Sequence, residues 1–127
     1  MANEIPKHQI DTCVILEPDR TEDGRYCKRY LQKIDYNYKG SVSFPVISEI
    51  FLLFITTDSF NERYNFIEPI LDMIKAKRID FYAPKDIGDL LNKIKLADSR
   101  IKSTDREILA CAAESKSDAL ITIEDFE

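Results

Sequence analysis

The chain has 127 residues, of which 44% are apolar and 32% charged. That describes one soluble globular domain spanning residues 1–127. Eighteen basic against 23 acidic side chains give a net charge of −5, which excludes retention on nucleic acid by bulk charge alone. A single histidine, His8, excludes a His-rich metal site, and Cys13, Cys27 and Cys111 form no CxxC pair, so a disulfide framework or zinc ribbon is excluded too.

The elements follow in chain order. Lys7–Asp11 reads as a first strand, unusually polar for a central one. Thr12–Leu16 is an apolar stretch stopped by Pro18. Thr21 can cap a helix running to about Tyr36. On it Arg25, Lys28, Arg29 and Lys33 share one face, opposite Tyr26, Tyr30, Leu31 and Ile34. Gly40 ends the loop that follows. Ser43 is the N-cap expected for the next helix, with Pro45 in its first turn. The body of that helix, Val46–Ile55, is apolar nearly all round and is expected to be buried. A further helix is expected between about Phe60 and Lys77, with a start or kink near Pro69. Arg78–Ala83 alternates and reads as a short strand. Asp86–Ala97 is an amphipathic helix through Ile87, Leu90, Leu91, Ile94 and Ala97. Thr104-x-x-Glu107 is a capping-box pattern, opening a helix to about Lys116 whose Ile108, Leu109, Ala112 and Ala113 should face the core. Ala119–Ile123 reads as a buried strand. Strands separated by helices predict an α/β fold, a central parallel sheet flanked by helices.

The longest apolar stretch, Ile50–Ile55, is far short of a membrane span. Met1–His8 is polar and unlike a signal peptide. The three scattered cysteines suit a reducing compartment, so a cytoplasmic location is expected. Charge is uneven. Residues 1–62 carry 7 basic and 10 acidic side chains, residues 63–102 carry 9 and 6, and residues 103–127 carry 2 and 7. The acidic end requires solvation, cations or a basic partner.

In open parallel sheets, ligands collect at the carboxyl ends of the strands. Asp11 stands at the end of the first strand, and Glu124 and Asp125 follow the last. Asp105 opens the helix before it. Each has a plain alternative, a turn acid, a helix-dipole acid or a solvated tail. Glu49 fits a solvated face badly, since on a helical wheel it falls among Val46, Leu52 and Leu53. An unpaired carboxylate there is costly. A cation shared among several carboxylates would relieve the strain, and oxygen ligands suit Mg²⁺ or Mn²⁺.

In order along the chain stand IDTCVIL with Asp11, SFPVISEIFLLF with Glu49, STDREILACAAE with Asp105, and ALITIEDF. This series resembles the PIN domain, the fold of metal-dependent ribonucleases that includes VapC-type toxins and ribosomal-RNA maturation nucleases. The resemblance covers nearly the whole chain and is most specific from Ser103 to Phe126. It implies that Asp11, Glu49 and Asp105 are the catalytic acids. The fourth is Glu124, two residues after Thr122, or Asp125 if the turn is one residue longer. Asp11, Asp105 and the fourth acid would hold Mg²⁺ or Mn²⁺, and Glu49 would act through water. Thr12 and Thr122 would supply hydroxyls near the metal. Against that family the domain is short at its C-terminus.

The activity implied is hydrolysis of RNA phosphodiester bonds, with no His or Ser nucleophile. The substrate would be single-stranded or structured RNA, gripped by Arg25, Lys28, Arg29 and Lys33 first and by Lys93, Lys95, Arg100 and Lys102 second. The toxin form implies an antitoxin protein, and the family admits a homodimer. Two other readings remain open: an rRNA-processing nuclease, and a catalytically degenerate scaffold that binds RNA or protein.

Overall fold

The structure is a computed structural model that describes residues 5–17, 21–56, 68, 71–73, 75, 76 and 78–123. Strand β1 (Lys7–Ile10) leads into a short helix α1 (Thr12–Leu16). Helix α2 (Glu22–Gln32) follows, then β2 (Lys39–Ser43), α3 (Phe44–Thr56) and β3 (Ile79–Tyr82). Helices α4 (Gly88–Ala97) and α5 (Ser103–Glu114) precede β4 (Ala119–Ile121). All pairings are parallel, in the order β3-β2-β1-β4. The polar first strand is therefore an inner strand. Its polarity is accommodated along its length, because Lys7 is exposed whereas Gln9 and Ile10 are buried.

Strand β2 was not foreseen. Its sequence, KGSVS, offers one branched apolar residue and a glycine, so it carries no alternating signal. The sheet nevertheless needs that glycine, which lies within β2 and not at the end of a loop. A Cβ on Gly40 would come within 3.0 Å of Ile34 Cγ2 and 3.1 Å of Ile10 Cδ1. The core around it joins Ile10, Val14, Ile15, Cys27, Ile34, Val42, Val46, Ile50, Ile79 and Ile108.

Thr21 caps α2 as expected, accepting a hydrogen bond from Gly24 N at 2.8 Å. The helix stops at Gln32, short of Tyr36, because Ile34 turns into the core and Asp35 adopts a left-handed φ of 76°. Tyr26 lies out in solvent and not on the buried face; Arg29 sits over its ring at 5.9 Å. Arg78, just before β3, clasps the end of α2. Its Nη2 donates to the carbonyl oxygens of Leu31 at 3.2 Å, Gln32 at 2.8 Å and Ile34 at 3.1 Å. His8 has a packing role: it stacks on Tyr38 (4.6 Å between centroids), and its Nδ1 is 2.6 Å from the Tyr30 hydroxyl.

Helix α3 is not buried all round. Val46 and Ile50 are in the core, but Leu52 is 61% and Ile55 68% exposed. Among the described elements, α1, α5 and β2 pack against this helix and leave those side chains uncovered. On α4, Ile87, Leu90, Leu91 and Ile94 are half-buried, whereas Ala97 is exposed. Helix α5 begins at Ser103 after Lys102, and no side chain caps it. Thr104 thus lies inside the helix, and the capping box does not form. The buried residues of α5 are Ile108, Ala110 and Cys111, while Ala113 is exposed. Strand β4 is half-buried because it is an edge strand. The helix expected over residues 60–77 lies largely outside the described residues.

Candidate functional site

Asp11 stands one residue beyond β1, where the chain turns from strand to helix. Its backbone N–H still belongs to the sheet and donates to Ile121 O at 2.9 Å. Its side chain belongs to α1, with Oδ1 accepting from Thr12 N at 2.8 Å as an N-cap does. The other oxygen, Oδ2, accepts from the Thr122 hydroxyl at 2.8 Å and from Cys13 Sγ at 3.5 Å. Asp11 is only 2% exposed. Three donors thus meet its two oxygens, which offsets the cost of burying a polar group.

Glu49 comes from the first half of α3, beside buried Val46 and Ile50. Its Oε1 accepts from the Thr12 hydroxyl at 2.8 Å. Burial holds its carboxyl above the usual range; the Thr12 hydrogen bond opposes this, and the charges of Asp11 and Asp105 add to it. Asp105, in the first turn of α5, is also held high, by burial and then by Asp11, against the pull of Lys102. Thus three acids from three separate elements share one neighbourhood at the carboxyl end of β1. Among the described residues no lysine or arginine forms an ion pair with any of them.

Both threonines singled out in the sequence occupy this place. Thr12 links α1 to Glu49, and Thr122 links the end of β4 to Asp11. Cys13 was missed. Its sulfur lies 3.3 Å from Thr122 Oγ1 and accepts from Ile123 N at 3.5 Å, tying the last strand to α1. Its adjacency to the Asp-Thr pair was the available signal. Glu124 and Asp125 lie outside the described residues.

Of the basic candidates, Arg25, Lys28, Arg29 and Lys33 are exposed on α2. Among the described residues none of these four hydrogen-bonds or ion-pairs with the acids. From the second group, Lys102 has a charge felt at Asp105, whereas Arg100 is tied to Asp98 at 3.0 Å.

The donor set suits a hard divalent cation: carboxylate oxygens and threonine hydroxyls, with no ion-paired cation among the described residues. Among the described residues no three His, Cys, Asp or Glu side chains stand close enough to hold one ion by themselves. Mg²⁺ does not require that, since it commonly takes one or two carboxylates and keeps several waters. The residues present therefore fit such an ion.

No family model matches the chain, and no curated protein does. Solved structures share its fold. VapBC2 from Rickettsia felis, bound to a DNA fragment from their promoter, is similar with a TM-score of 0.71 and 13% identity, over 93% of this chain and 88% of that one. FitAcB from Neisseria gonorrhoeae is similar with a TM-score of 0.69 and 18% identity, over 94% and 88%. Both are toxin–antitoxin complexes, and the chain shares the α/β fold found in them.

Proposed function

We propose that the chain is a PIN-like, Mg²⁺- or Mn²⁺-dependent endoribonuclease of the toxin type. The observation that carries this reading is that Asp11, Glu49 and Asp105 lie near enough for their charges to act on one another, with no lysine or arginine ion-paired to them among the described residues. Likeness in fold to chains of toxin–antitoxin complexes favours the toxin form over an rRNA-processing enzyme. On this reading a protein partner covers the acidic site, and RNA is the substrate.

Asp11 and Asp105 would hold the ion, with Glu124 or Asp125 as a further ligand. When bound, such an ion supplies charge neutralisation and activation of water for attack on a phosphodiester. The side chains of the chain do the rest. Thr12 N, Thr122 and Cys13 fix the orientation of Asp11. Thr12 also aims Glu49, whose burial raises its affinity for a proton and suits it to accept one from water. Lys102, whose charge is felt at Asp105, and the exposed basic stripe of α2 are the cations that would meet a substrate phosphate.

The test is cleavage of single-stranded RNA by purified protein with Mn²⁺. EDTA should stop it, and Asp11→Asn and Asp105→Asn should abolish it. Cleavage that persists in both variants would remove the acids from the reaction. No cleavage by the wild type under any divalent cation would favour a binding scaffold instead.

A further inference from the structure

The outer face of α2 combines cations with exposed rings. From Gly24 to Tyr36 the chain carries Arg25, Lys28, Arg29 and Lys33 against a single acid, Asp35, which is ion-paired with Lys39. A chain of net charge −5 thus gathers positive charge on one helix. On the helical wheel Tyr26, Arg29 and Lys33 stand at i, i+3 and i+7 and share one stripe, flanked by Arg25 and opposite the buried Gly24 and Cys27. The stripe is open to solvent along its length, and Tyr26 is 59% exposed. Tyr36 extends the surface past the helix end. Its N–H donates to Lys33 O at 3.0 Å, and its side chain is 75% exposed.

The two rings are held alike. Arg29 lies over Tyr26 at 5.9 Å, and Arg78 lies over Tyr36 at 5.7 Å. Arg78 is itself fixed by its bonds to the carbonyls at the end of α2. A guanidinium covers one face of a ring, and exposures this large leave the other to solvent. Neither tyrosine belongs to the core, so packing does not account for them.

We infer that this face binds a single strand of RNA, with bases stacked on the open faces of Tyr26 and Tyr36. Its phosphates would lie against Arg25, Arg29 and Lys33. The cations alone would suit any polyanion; the rings select one that carries planar bases. Every base has a π-face, so such a platform tolerates any sequence. The choice of RNA rests on the reading of the chain as a ribonuclease, but the site uses none of its acids.

The test is fluorescence anisotropy of a labelled adenylate RNA octamer, titrated with the whole chain in EDTA at several salt concentrations. It reads binding alone, so a failure of hydrolysis cannot mimic a failure here. Tyr26→Ala and Tyr36→Ala should each weaken binding about tenfold, within the range for one stacked base, and leave its salt dependence as it was. Tyr26→Phe and Tyr36→Phe keep the ring and should restore the affinity. Arg25→Ala and Lys33→Ala should weaken binding and flatten its salt dependence, as lost phosphate contacts do. An abasic octamer should bind more weakly than the adenylate one and be indifferent to both alanine substitutions. The inference fails if the octamer does not bind by millimolar protein, or if both alanine variants bind it like the wild type. It fails equally if the phenylalanine variants lose as much as the alanine ones, or if the abasic strand binds as tightly as the adenylate one.

Discussion

At the carboxyl end of β1 the polar side chains are acids, drawn from α1's cap, α3 and α5. At the amino ends of β1 and β2 stand Lys7 and Lys39, set side by side by strand register. A strand of four residues, roughly 13 Å long, separates the two. The acid end is built from residues remote in sequence, each fixed by helix or strand termini. The two lysines at the amino end are both strand residues. The difference teaches that one sheet can carry two charge-sorted surfaces, provided the apolar residues between them, Ile10 and Val42 above all, close the core.

The largest effect expected at the acid end is on catalysis. Asp11→Asn keeps the cap to Thr12 N but removes the charge, and should lower RNA cleavage by about 10²–10³. Single-turnover cleavage with Mn²⁺ measures it, and a loss below tenfold would take Asp11 out of the reaction. Next comes stabilisation by the ion. At a concentration 100 times its Kd, Mn²⁺ should add about 2.7 kcal/mol to the wild type and far less to Asp105→Asn. Urea unfolding with and without Mn²⁺ reads this, and an equal gain in both proteins would locate the ion elsewhere.

Gly40→Ala probes what joins the two ends. The added methyl meets Ile34 and Ile10 side chains at 3.0–3.2 Å, so the neighbours must give. A loss of roughly 1–3 kcal/mol in unfolding free energy is expected for such overpacking. An unchanged midpoint would mean that β2 can draw away from α2 freely.

The smallest effect is one of pH. Glu49 and Asp105 bind protons more tightly in the fold than in the unfolded chain. Their contribution to stability is therefore full below the ordinary carboxylate range and is lost as pH rises through the higher folded values. Glu49→Gln removes its share of that loss. The metal-free variant should exceed the wild type in stability at pH 7, with the gap closing toward pH 4. Urea midpoints at both pH values decide it, and a gap independent of pH would contradict the burial of Glu49.

Much of this was legible in the chain. Asp11 could be read because a strand signal ends on it, and Glu49 because no solvated face could hold it. Asp105 followed from the helix that opens there. What failed had physical causes. KGSVS forms β2 through its neighbours and not through its own pattern, as strand propensity depends on context. Apolar residues all around α3 foretold burial, yet half of them face outward, since sequence does not say how many sides a helix will have covered. Thr104 promised a cap, but the cap position falls two residues earlier, at Lys102. The row of Gln9, Ser41 and Asp80 could not be foreseen, because it exists only once β2 stands between β1 and β3.

The clasp of Arg78 on the last carbonyls of α2 has a kinetic meaning. Its three contacts join positions 44–47 apart in sequence, so the final turn of α2 gains this partner only after a long stretch of chain has returned. Such distant closures form late on the folding route. Removing the guanidinium should therefore leave the refolding rate nearly untouched and quicken unfolding, making this arginine a brake on opening and no part of the nucleus.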